Sequence, residues 1–134
     1  MEPTVFTRIL RRELPAAIVH EDALTFAFMD AGQLNPGHVL VATREPYETL
    51  LDADEAAVAA LFATVRRVAH AVQAAFEPEG LTILQANRPA GWQTVPHLHV
   101  HVLPRWRDDG VGLVWPRKNP PLEELRRLAA KLVV

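Results

Sequence analysis

The sequence predicts an α+β domain: an antiparallel sheet of about five short strands, one long helix covering one face of it, and a short helix ahead of the first strand. At 134 residues, with 49% hydrophobic and 22% charged side chains, the chain has the size and composition of one compact domain. Five short apolar runs are bounded by turn residues, and eleven prolines punctuate the chain into brief elements. Only one segment, residues 52–76, carries a long stripe at helical spacing. The domain is expected to span residues 1–134, with a core over about 5–105 and an extension over 106–134 that ends in a helix.

In residues 5–12 the apolar side chains Val5, Phe6, Ile9 and Leu10 recur at helical spacing, and Pro15 follows the segment as a stop. Residues 18–21 and 25–29 read as two strands joined by a tight turn. Turn chemistry over 32–37 precedes His38-Val39-Leu40-Val41-Ala42, a run suited to a buried central strand. Asp52 followed by Glu55 matches a capping box, and Asp54 adds negative charge where the helix dipole favours it. The helix stripe comprises Val58, Leu61, Phe62, Val65, Val68, Ala69, Val72, Ala75 and Phe76. After Pro78-Glu79-Gly80 come a strand over 81–84, a polar loop over 87–91, and a last strand over 95–103. Residues 122–132 are amphipathic and read as a terminal helix.

Fourteen Lys and Arg against sixteen Asp and Glu give a formal charge of -2, so no overall positive field favours nucleic acid or anionic lipid as a partner. The absence of cysteine excludes disulfides, thiolate catalysis and cysteine-ligated metal clusters. Residues 1–8 lack the apolar run of a secretory leader, and no stretch has the length of a membrane span. A soluble, cytoplasmic protein with no membrane partner is the expectation.

The informative stretch is Pro96-His97-Leu98-His99-Val100-His101-Val102. On a strand, alternate side chains share a face, which puts His97, His99 and His101 in one row about 13 Å long, in a cleft, opposite Leu98, Val100 and Val102. Imidazole is a poor filler for a strand, and adjacent protonated rings repel, so a merely solvated edge is a weak account of three. Two kinds of chemistry remain open. Neutral imidazoles ligate zinc, iron or copper, but the nearest acidic residues in sequence, Asp108 and Asp109, lie beyond Pro104. Alternatively, one imidazole attacks an electrophile while its neighbours fix its tautomer and move a proton.

This pattern closely resembles the histidine triad family of nucleotide hydrolases and transferases. The likeness includes the segment from Phe6 to Pro15, Ala27-Phe28-Met29-Asp30, Pro36-Gly37-His38-Val39-Leu40-Val41 and the triad itself, in order. The flanks Gln93-Thr94-Val95 and Leu103-Pro104-Arg105 are similar to those of the dinucleoside polyphosphate hydrolase branch. The resemblance implies a covalent nucleotidyl intermediate on His99, formed at the α-phosphate of a (di)nucleoside polyphosphate or nucleoside phosphoramidate, with release of a nucleoside monophosphate such as AMP. It implies that His97 holds the nucleophile's ring or protonates the leaving group, that His101 donates to a phosphate oxygen, and that His38 supports the triad from a neighbouring strand. Gln93, Thr94 and Asn87 match phosphate contacts, Asp30 the ribose acceptor, and Phe6, Ile9, Leu14 and Phe28 the apolar wall of the base pocket. It further implies a homodimer, a small-molecule nucleotide as partner, and no cofactor or catalytic metal.

Three departures stand out. The amino-terminal cysteines that hold a structural zinc in many bacterial members are absent. The family's amide position falls on Ala86, between Gln85 and Asn87, and Asn87 is the favoured substitute. The glycine before Gln93 is Trp92, whose indole would narrow the phosphate approach or add a stacking surface. Two rivals are a nucleotide-binding protein with little turnover and a His-ligated metalloenzyme of another fold.

Overall fold

The computed structural model describes residues 2–112 and 114–134; Met1 and Leu113, both within the expected domain, lie outside that description. Five antiparallel strands, β1 (Ile18–Glu21), β2 (Thr25–Met29), β3 (Val39–Thr43), β4 (Gly80–Gln85) and β5 (His99–Arg105), form one sheet in the order β1-β2-β3-β5-β4. Helix α1 (Val5–Leu10) lies ahead of the sheet, α2 (Glu55–Phe76) between β3 and β4, and α3 (Leu122–Ala129) near the end. No helix among the described residues is long and apolar enough to cross a membrane.

The central strand β3 is buried along its whole length because both faces of the sheet are covered. On one face Leu61, Val65, Val68 and Val72 of α2 pack on Ala27, Val39, Val41, Val100 and Val102. On the other, Phe6 and Ile9 of α1 close over Phe26, Phe28, Leu40 and Ala42. Alternation along β2 therefore sends Ala27 to the long helix and the two phenylalanines to the short one.

Several boundaries differ from the sequence reading, each for a local reason. Asp54 caps α2 by accepting from the Ala57 amide at 2.7 Å, whereas Asp52 is occupied by the amide and hydroxyl of Thr49. The buried stripe is narrower than expected: Thr64 joins it, while Phe62 and Phe76 remain about 40% exposed. β3 is displaced by one residue, so His38 precedes it, and β4 is one residue longer at each end. α1 stops at Leu10 and α3 at Ala129, the latter with no buried residue. The last strand begins only at His99. Pro96 has no amide proton to donate, and the His97 amide turns back to the Val95 carbonyl at 2.8 Å instead of pairing with β3.

Gly37 sets the approach to His38. Its φ of +101° disfavours any side chain, and a Cβ there would lie 2.8 Å from the Phe76 ring. Gly37→Ala is therefore expected to destabilise the fold by about 1–3 kcal/mol. Urea denaturation checks this, and an unchanged midpoint would refute the constraint.

Candidate functional site

The register of the sheet builds the site face row by row. Phe28, Leu40, His101 and Leu84 are successive cross-strand neighbours, and the next row runs Phe26, Ala42, His99. Directly paired residues share a face, so the two strand histidines stand among aromatic and aliphatic side chains on the side away from α2. His97 precedes the strand, yet its ring reaches the same side, 5.6 Å from Phe6 and 6.3 Å from Phe26 between centroids. The row exists, but it is not openly exposed: His97, His38 and His99 are 0%, 1% and 4% accessible, and His101 alone is half-buried.

Hydrogen bonds assign the protons. His99 Nδ1 is 2.6 Å from the His97 carbonyl, which can only accept, so Nδ1 carries the proton and Nε2 keeps its lone pair. His97 Nε2 donates in the same way to the Thr43 carbonyl at 2.7 Å, and its Nδ1 then accepts from the Thr4 hydroxyl at 2.8 Å. His38 Nδ1 faces the Leu34 amide at 3.4 Å, and its Nε2 lies 2.9 Å from His101 Nδ1. Donation from His38 to His101 leaves His101 Nε2 as an N–H donor.

All four rings are pushed towards the neutral form. Burial lowers His97, His99 and His38 from the ordinary imidazole range, with the Asp30 charge opposing it at His99 and His38. At His101, burial and then the neighbouring His99 and His38 push the ring down to about 4. A neutral imidazole with an uncommitted Nε2 is a nucleophile near pH 7; a protonated one is not.

Beside the rings lies a cavity of about 360 Å³, at the small end of ligand sites. Phe6, Ile9, Phe28 and Leu40 form its apolar wall, while Asp30, Thr94, His99 and His101 supply polar groups. No Lys or Arg is among these lining residues. Any anion bound here would be held by neutral N–H and O–H donors.

Asp30, His38 and His101 also offer ligand atoms all within 4.8 Å of one another, the one metal-capable cluster among the described residues. The 2.9 Å contact between the two rings and the 3.9 Å approach of Asp30 Oδ2 to His38 Nε2 need no ion to account for them. A cation would have to replace the proton shared by the rings.

The remaining sequence candidates divide. Thr94 lines the cavity, as do Phe6, Ile9, Phe28 and Asp30, although Asp30 Oδ1 already accepts from the Gly32 amide at 2.7 Å. Leu14 lines a separate surface depression with Arg12 and Pro15. Gln93 is buried, accepting from the Arg88 amide at 2.6 Å and donating to the Glu48 carbonyl at 2.7 Å. Asn87 accepts from the Leu50 amide at 2.8 Å and pairs with the Gln85 side chain. These amides brace the loop rather than face the cavity, and two residues of that loop, Arg88 and Trp92, have positive φ without being glycine. Thr4 and the Thr43 carbonyl were not anticipated. Thr4 is readable as a helix cap, but nothing in sequence spacing ties it to a histidine 93 residues away.

The family model described as HIT domain matches residues 11–108. The chain is 35% identical over 115 residues to Protein hit of Bacillus subtilis, covering 85% of this chain and 79% of that one. It is 28% identical over 129 residues to an adenosine 5'-monophosphoramidase of Schizosaccharomyces pombe, covering 96% and 94%. A crystal structure of a HIT family protein from Bacillus anthracis superposes with a TM-score of 0.89 at 29% identity, covering 95% and 92%.

The buried rings make stability depend on pH. Unfolded imidazoles titrate near 6.5, whereas these four titrate lower in the fold, so between those values the unfolded chain binds more protons. Folding free energy should therefore be full above about pH 6.5 and fall progressively as the pH drops towards 4. Urea titrations across that range check it; a stability independent of pH would contradict the neutral assignment.

Proposed function

From the premise that the chain belongs to the HIT family, we propose that it is a nucleotide hydrolase or transferase acting at an α-phosphate through a covalent nucleotidyl-histidine. The observation that carries this is the uncommitted Nε2 of a neutral His99 beside a cavity with an apolar wall and an acidic rim. The apolar wall suits a nucleobase, and Asp30 Oδ2 suits a ribose hydroxyl.

In the step proposed, His99 Nε2 attacks the α-phosphorus, a P–N bond forms, and the bond to the leaving group breaks, the leaving group departing with the bonding pair and a proton taken from solvent. Water then hydrolyses the adduct and releases a nucleoside monophosphate. His101 Nε2–H and the Thr94 hydroxyl donate to phosphate oxygens as charge develops. His97 has both ring nitrogens bonded inside the protein, so of its two candidate roles it takes that of holding the nucleophile.

The substrate class favoured is a nucleoside phosphoramidate. The similarity to a monophosphoramidase supports it, and the Gln93 flank that pointed to dinucleoside polyphosphates is accounted for by loop bracing. A homodimer is part of the same reading. β4 forms a sheet edge on which Ile83 is exposed, and α2 exposes Phe62.

His99→Ala is expected to abolish turnover of an adenylyl phosphoramidate and of a diadenosine polyphosphate while leaving AMP binding within about threefold. Assays on EDTA-treated protein, with acid-labile AMP adduct as a second readout, check this. Near wild-type turnover in the variant would overturn the mechanism, and AMP binding with no turnover by the wild type would favour a binding protein. Sedimentation velocity is expected to give a dimer that Ile83→Asp shifts towards monomer.

A further inference from the structure

We propose that Thr4 is a positioning residue whose hydroxyl, by donating to Nδ1, holds the His97 ring neutral and in place and, through the His97 backbone, orients the reactive nitrogen of His99. The inference rests on the nucleotide-transfer reading above for its kinetic consequence, but not for its structural one.

Thr4 has a hydroxyl with one proton to give and two lone pairs. It accepts from the Thr7 amide at 3.1 Å as the cap of α1. It also lies 3.2 Å from the Thr7 hydroxyl and 2.8 Å from His97 Nδ1. His97 Nε2 must carry a proton, since its partner is the Thr43 carbonyl, and the neutral ring then has Nδ1 as an acceptor. The single Thr4 proton therefore goes to His97, and Thr7 donates to Thr4. With His97 neutral, the result is a directed chain, Thr7 to Thr4 to His97 to the Thr43 carbonyl, that runs from the first helix to β3.

His97 is fully buried and clamped at both nitrogens, so its ring cannot turn without leaving a buried polar atom unpaired. Its carbonyl accepts from His99 Nδ1 at 2.6 Å, and that bond is what leaves His99 Nε2 free. Thr4 also begins the helix whose Phe6 packs edge-on against His99, at 4.8 Å between centroids, and whose Phe6 and Ile9 wall the cavity. One hydroxyl thus serves both the cavity wall and the nucleophile.

The two duties can be separated by substitution. Thr4→Ser keeps both. Thr4→Val removes both. Thr4→Asp keeps an oxygen to cap α1, but an ionised carboxylate cannot donate, so it should draw a second proton onto His97. The test is ring-nitrogen NMR of the histidines at pH 7, with kcat and KM for an adenylyl phosphoramidate. The wild type and Thr4→Ser should show His97 protonated at Nε2 and His99 at Nδ1, with equal kcat. Thr4→Asp should show His97 protonated at both nitrogens and a kcat lowered roughly three- to tenfold at KM within about twofold, the scale of one buried hydrogen bond. Thr4→Val should lower kcat similarly and raise KM as well. The proposal is overturned if wild-type His97 carries its proton on Nδ1, or if Thr4→Val and Thr4→Asp leave the His97 and His99 ring signals unchanged. A wild type that turns over no nucleotide would sink the transferase reading alone, because the ring signals still decide the role of Thr4.

Discussion

The 2.6 Å hydrogen bond between His99 Nδ1 and the His97 carbonyl is the contact on which the chemistry of the site depends. A free imidazole exchanges its proton between two nitrogens, and an acceptor-only partner stops that exchange. The lone pair is then always on Nε2, beside the cavity. For the carbonyl to do this it must itself be held, and it belongs to a residue outside the β ladder. The clamp on the His97 ring supplies what the missing ladder bonds would have given.

A second pair, His38 and His101, follows the same logic with a different end. Here the acceptor is another imidazole, and the proton is passed so that a donor is presented rather than a lone pair. Neither arrangement survives protonation of the rings: a charged His99 has no lone pair to offer, and a charged His101 has no Nδ1 acceptor for His38. Burial, under Phe6 and Phe26 for His97 and under Phe6 for His99, is therefore part of the chemistry, since it pushes all four rings towards the neutral form.

Much of this was legible in the sequence because alternation is a one-dimensional signal. The parity of His99 and His101 against Val100 and Val102, the long stripe of α2, and the apolar runs of β1 to β3 all depend on neighbours two to four residues apart. Extending the strand through Pro96 overrode a local clue, a residue with no amide proton, and so placed His97 in a ladder it does not join. Gln93 and Asn87 looked like phosphate contacts because an amide in a polar loop has two equally good uses. Which use prevails is set by the partners the fold brings up, the Arg88 amide and Glu48 carbonyl for Gln93 and the Leu50 amide for Asn87, and the two from residues 48 and 50 are placed there only in three dimensions. Nothing in the structure explains why position 92 is tryptophan.

The sequence also posed a choice for Phe6, Ile9 and Phe28 between core and pocket wall, and the fold shows that the choice is a false one. Phe6 packs on Phe28 at 5.1 Å and on His99 at 4.8 Å between centroids, is 4% exposed, and still lines the cavity. The same rings therefore remove water from the imidazoles and form the wall facing whatever enters. An apolar layer one side chain thick can do both because the sheet face beneath it is already filled by Leu40 and Ala42. The desolvation that keeps the histidines neutral and the surface that would recognise a base are one physical feature, and a change to either must alter the other.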